Sequence, residues 1–150
     1  DAVRCGIALH GFANRPEWDK KLKPVAELIS SISQIHIVKK GEYVGYDFGW
    51  KVSKETKIAT IPLGHADGIS RRLGNHKGTV SINGKIAPIV GNVCMDMFMV
   101  DVTKISCDEG DVVYVFGKEN SISDLAQTAD TISYELLTAI GPRVKRVIYE

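Results

Sequence analysis

Asn83-Gly84 separates two apolar, β-branched segments, residues 78–82 and 86–90. Asn-Gly supplies the two positive φ angles of a type I′ turn, the turn whose twist matches that of antiparallel strands. The hairpin therefore commits the middle of the chain to antiparallel β structure. A second stretch points to a site. Ile58-Ala59-Thr60-Ile61-Pro62-Leu63 is an apolar run that stops at Gly64-His65-Ala66-Asp67-Gly68. Such a run, bounded by glycines, reads as a buried strand entering a tight turn. The turn lifts one ionisable side chain, His65, off the end of a rigid element, which is a common way to build a site. Taken alone, those five residues favour a plain Asp-Gly turn with a solvated histidine.

The remaining segments extend the β pattern. Residues 3–9 read as a short buried strand closed by His10-Gly11, and residues 12–23 as a polar connector whose Trp18 is a lid or packing residue. Residues 25–39, rich in Ile and Ser, favour strand over helix. Residues 44–50, glycine-punctuated and aromatic, suggest a loop or bulged strand. Residues 57–63, 93–102 and 111–116 read as strands, with the methionines at 95, 97 and 99 as core filler. Residues 69–77 form a polar, basic loop. The period then changes. Leu125, Ile132, Leu136, Leu137 and Ile140 make a broken apolar stripe, so residues 123–140 are expected to be helical. Ser121 and Ser123 are the candidate N-caps, and Gly141-Pro142 is the stop. Residues 143–149 return to a strand. Many short strands, tight turns and one helical segment near the C-terminus predict a mainly β domain, an antiparallel barrel or sandwich.

Composition narrows the function classes. The chain has 150 residues, enough for one domain with a sizeable core, and its net charge of +1 gives no basic footprint for nucleic acid or an anionic membrane. No apolar run approaches the length of a spanning helix. The cysteines, Cys5, Cys94 and Cys107, are odd in number and lack Cys-x-x-Cys spacing, which argues against a disulfide framework or zinc site and suits a reducing cytoplasm. The four histidines show no close ligand spacing, so no metal site is expected.

Several segments in one order carry a resemblance. They are Val3-Arg4-Cys5-Gly6-Ile7-Ala8-Leu9-His10-Gly11, Leu22-Lys23-Pro24, Gly41-Glu42-Tyr43-Val44-Gly45-Tyr46 and Ile61-Pro62-Leu63-Gly64-His65-Ala66-Asp67-Gly68. After these come Ala87-Pro88-Ile89-Val90-Gly91 with Cys94-Met95-Asp96, then Ile132-Ser133-Tyr134-Glu135 and Pro142-Arg143-Val144-Lys145-Arg146-Val147. Together they resemble the C-terminal part of bacterial alanine racemase, a pyridoxal-phosphate (PLP) enzyme of fold type III. The resemblance covers nearly the whole chain. It implies that residues 1–11 are the end of an N-terminal α/β barrel and residues 12–150 the β domain. The barrel proper is absent from the sequence, and with it the lysine that binds PLP and serves as one of two catalytic bases. The family works as a homodimer, the β domain of one subunit completing the other's active site. The implied activity is interconversion of L- and D-alanine in the bacterial cytoplasm, supplying D-alanine for peptidoglycan. A related substrate is another small amino acid such as serine.

The resemblance also assigns roles. Arg4 matches the arginine that hydrogen-bonds the pyridine nitrogen of PLP. Gly6 and Ile7 match backbone at the cofactor phosphate, and Tyr134 a tyrosine whose hydroxyl contacts that phosphate. Met95 matches the residue whose backbone helps bind the substrate carboxylate across the dimer. His65 stands where the family has its tyrosine base, in Gly-Tyr-Ala-Asp-Gly. An imidazole, with an ordinary pKa of about 6.5, suits proton transfer at neutral pH better than a phenol near 10. It also reaches about 2 Å less far, and a misplacement of about 1 Å can cost roughly 100-fold. His65 is therefore either a base with altered catalysis or an inactivating substitution. His10 and Thr79 also stand where tyrosines are common, and Asn92 where arginine is frequent. Two readings follow: the C-terminal part of a racemase, inactive without its barrel, or a non-catalytic β-barrel interaction or dimerisation module derived from one.

Overall fold

A computed structural model describes residues 1–13, 16–19 and 21–149. In chain order its strands are β1 (Leu28–Ser31), β2 (Gln34–Val38), β3 (Tyr43–Val44), β4 (Trp50–Lys51), β5 (Thr56–Ile61), β6 (Thr79–Ile82), β7 (Lys85–Val90), β8 (Phe98–Asp101) and β9 (Val112–Phe116). The α-helices are α1 (Pro16–Asp19), α2 (Ile122–Thr128) and α3 (Ser133–Ala139). Asn83 and Gly84 take φ of 50° and 72°, the two positive angles expected, and β6 pairs antiparallel with β7.

Seven strands form one antiparallel sheet in the order β1-β9-β6-β7-β8-β5-β2, while β3 and β4 pair separately. The outermost strands, β1 and β2, are consecutive in sequence, with only Ile32 and Ser33 between them. The Ile32 N–H donates to the carbonyl of Asp111 at 2.9 Å, beside β9, and the Ser33 N–H to that of Thr60 at 2.9 Å, on β5. One short stretch of chain thus pairs with both ends of the sheet, which obliges the sheet to curl into a half-barrel. Pro88 fits because it faces Thr79 of β6, outside the β7–β8 register of Ile89 and Val90, so its missing N–H interrupts no bond to β8.

Alternation along the strands sorts two cores. Ala59, Ile61, Ile89, Phe98 and Val100 face the main core, which the helices cover with Ile122, Leu125, Ala126 and Leu136. Ile58, Val90 and Met99 point the other way, into a smaller cluster with Val44, Val52 and Cys94. Parts of β5, β7 and β8 are therefore buried on both faces, which explains their high apolar content. Burying one such side chain contributes roughly 1.5–3 kcal/mol. An exposed ion pair such as Arg72–Asp130 contributes at most about 1 kcal/mol, so the cores dominate.

Several expectations are corrected. Residues 3–9 are not a strand. Ile7–His10 is a 3₁₀-helix with only Ile7 buried, and no neighbouring strand is present among the described residues to pair with it. Residues 143–149 are not a strand either: they pair with no strand, and Arg146 donates to the carbonyls of Ile140, Gly141 and Val144. The helical segment is two helices. Asp130, at φ 54°, ends α2 with the Thr131 N–H on the Ala126 carbonyl and its own N–H on that of Gln127. Ser121, not Ser123, caps α2. The expected strand over 25–39 is split at Ile32-Ser33, and that over 93–102 is confined to β8. Met99 is core, whereas Met95 and Met97 are exposed. Trp18 is half exposed beneath the Lys21 ammonium, and residues 14, 15 and 20 of the connector lie outside the described residues.

Asp111 joins the hairpin turn to the closure. Its carboxylate accepts the Asn83 Nδ2 at 2.9 Å and the Asp108 N–H at 3.1 Å, while its carbonyl takes Ile32. The Asn83 bond first, then the Asp108 bond, hold its carboxyl below the ordinary carboxylate range. A depressed folded value means the stabilisation is present above the ordinary pKa and disappears as pH falls through the folded one. Asp111→Asn should lower stability at pH 7 and converge with the parent chain as pH falls below the ordinary carboxylate range and through the depressed folded value, as measured by urea unfolding against pH.

Candidate active site

β5 delivers the chain to a 3₁₀ turn, His65–Asp67, flanked by Gly64 and Gly68. Backbone bonds fasten this turn to the loop before β8. The His65 N–H donates to the Cys94 carbonyl at 2.9 Å and the Ala66 N–H to the Met95 carbonyl at 3.0 Å. A Cβ on Gly64 would overlap the Met95 carbonyl, so only glycine lets the two segments approach this closely. Asp67 is buried, 4% exposed, and its Oδ2 accepts the Gly64 N–H at 2.9 Å. Its Oδ1 lies 3.1 Å from Arg143 Nε, and Arg143 Nη2 lies 2.7 Å from Asp96 Oδ1. The Asp96 bond, then the Asp67 charge, raise the Arg143 pKa further and keep it cationic. The His65 side chain is exposed, as is Met95, whose N–H donates to none of the described residues. Burial pushes the Cys94 thiol up, so it stays protonated and packs in the smaller core.

A second group forms at the start of α3. The Ile7 N–H donates to the Tyr134 hydroxyl, and a Cβ on Gly6 would overlap that oxygen. The hydroxyl accepts from Ile7, so its own proton is free for another acceptor. Ile7 packs in the main core and Tyr134 against it, which fixes both. The opposite end of α3 reaches the first group, where the Ala139 carbonyl lies against Gly68 and the Gly141 N–H donates to the Asp67 carbonyl at 3.1 Å. One short helix therefore links the two groups, with about 1.5 Å of rise per residue between Tyr134 and Ala139.

The structure thus brings together Gly6, Ile7 and Tyr134, and separately His65 and Met95. Arg4 joins neither: it is exposed and forms no ion pair with a described carboxylate. Sequence reasoning missed Arg143 and treated Asp67 as turn filler. The only available signal was that a buried Asp67 would need a cation.

A family model described as "Alanine racemase, C-terminal domain" matches residues 25–148. The chain belongs to that family. It is 41% identical to the alanine racemase of Clostridium kluyveri over 98% of its own length, and spans 39% of that relative. Its fold superimposes on the alanine racemase of Streptomyces coelicolor with a TM-score of 0.90 at 37% identity, covering 97% of this chain and 40% of that one. The Bartonella henselae alanine racemase, solved with covalently bound pyridoxal phosphate, matches with a TM-score of 0.87 at 34% identity, over 95% of this chain and 40% of that one. The family assignment and the mainly β architecture expected from the sequence are both borne out. No helix among the described residues is long and apolar enough to cross a membrane.

Because Gly64 abuts backbone rather than a yielding side chain, Gly64→Ala should displace the turn from the Met95 loop. The expected cost is about 1–3 kcal/mol, read from chemical denaturation.

Proposed function

We propose that this chain is the β-domain part of a PLP-dependent alanine racemase that interconverts L- and D-alanine in the bacterial cytoplasm for peptidoglycan precursors. Residues 1–11 belong to the end of the barrel, and residues 12–150 form the β domain. The observation that carries the reading is the group at Tyr134. A glycine whose missing Cβ lets the Tyr134 hydroxyl approach the backbone, an Ile7 N–H that holds that hydroxyl in place, and a phenol proton left over for a further acceptor suit the phosphate of PLP. The chemistry of Arg4 suits the pyridine nitrogen, because a guanidinium donates a hydrogen bond without surrendering its proton.

When bound, PLP supplies the electron sink for the pair left as the substrate's α-proton departs. The chain's own residues then have distinct tasks. Ile7 and Tyr134 orient the cofactor through its phosphate. Met95 offers its N–H to the substrate carboxylate. His65 removes a proton from one face of the α-carbon, or returns one to it. A second base is required on the opposite face, and none of these 150 residues matches the family's cofactor-binding lysine. That lysine is assigned to a barrel, with His65 and Met95 reaching the active site of the other subunit in a homodimer. Alanine is the substrate the family name favours, with serine the nearest alternative.

Histidine at position 65 favours a second reading, a non-catalytic interaction or dimerisation module. Racemisation of L-alanine by the full-length parent separates the two. If His65 is a base, His65→Tyr should change kcat substantially, upward if the shorter reach of imidazole is the handicap. Equal rates for the two would remove the family role from His65. An inactive pair that still binds PLP would favour the module. Tyr134→Phe, which removes one donor to a charged phosphate, should weaken PLP retention by about tenfold or more, read from cofactor absorbance after dialysis.

A further inference from the structure

The His65 and Ala66 N–H groups tie the turn to the Cys94 and Met95 carbonyls, and the turn is also braced within itself. The Asp67 carboxylate adds to that brace from inside, through the Gly64 N–H. That carboxylate is buried, and a buried charge with no partner costs several kcal/mol. Its partner is Arg143, which also reaches Asp96, the residue after Met95. One guanidinium thus bridges the turn that presents His65 and the loop that presents Met95. It does so with two different nitrogens at 3.1 and 2.7 Å. Both short distances follow from the planar fork of arginine; a lysine ammonium is a single point charge on a flexible stem.

We infer that Arg143 is a positioning residue: it locks the His65 turn and the Met95 loop into one unit, so that the base and the carboxylate donor keep a fixed separation. The inference rests on the racemase reading above and adds a residue to it. Arg143 itself touches no reacting atom. Its removal should leave the sheet intact, since it lies outside every strand and is half exposed. It should release the two segments from each other, and a misplacement on the order of 1 Å is enough to cost about 100-fold in rate.

The test uses the full-length parent enzyme and its Arg143→Ala and Arg143→Lys variants, with two readouts. The first is amide hydrogen exchange, which needs no activity. In both variants the amides of Gly64, His65 and Ala66 should lose protection together, while those pairing β5 with β8 keep theirs. The second is the α-deuterium isotope effect measured separately on L- and D-alanine. Impairing one of two bases should raise the effect in the direction where His65 removes the proton and not in the other. kcat should fall about tenfold to a hundredfold, with KM within a few-fold. Retained protection in Arg143→Ala, full rescue by lysine, or isotope effects that shift equally in both directions would each overturn the inference. A parent that binds PLP without racemising would sink the racemase reading instead. In that case the exchange result still decides whether Arg143 couples the two segments.

Discussion

The passage of the chain from one end of the sheet to the other through Ile32 and Ser33 is the constraint on which the rest of the molecule depends. Seven strands laid out in order leave two edges, and each edge is a row of unpaired backbone groups. Here the two edge strands are consecutive in one segment, and the residues that link them bond on one side to Asp111 and on the other to Thr60. Curling follows, and with it an inner face that a single set of side chains fills around Phe98 and Val100. The helices near the C-terminus are too short to be stable alone, and they are held by that same core through Leu125 and Leu136.

The His65 and Met95 group lies where three segments meet: the turn after β5, the loop before β8 and the C-terminal end of α3. Backbone bonds fix the turn to each of the other two. The smaller core beneath β5, β7 and β8 secures the loop through Cys94, and the main core secures Tyr134 through its neighbours on α3. Rigidity at an exposed position such as His65 therefore comes from below, from two apolar clusters on opposite faces of the same strands.

What was legible in the sequence was whatever depends on neighbouring residues. The Asn83-Gly84 hairpin, the strand leading to Gly64 and the Gly141-Pro142 stop are local and were read correctly. Residues 3–9 and 143–149 mislead for one reason: a β-branched, apolar stretch becomes a strand only where the fold lays a partner strand beside it, and that is a property of the whole topology. The break at Asp130 was hidden because the stripe of apolar residues continues on both sides of it. Arg143 was hidden because its two carboxylates lie 76 and 47 positions away in sequence. Gly6, Ile7 and Tyr134, by contrast, were paired by resemblance, and the structure places them in contact.

The bonds that shape the turn at 64–68 have a consequence for what position 65 can carry. They run from backbone N–H groups to backbone carbonyls, and from the side chains of Asp67 and Arg143. The side chain at 65 contributes to none of them and stands in solvent. The mount is thus indifferent to its cargo: one ring can replace another at this point without disturbing the bonds that hold the turn.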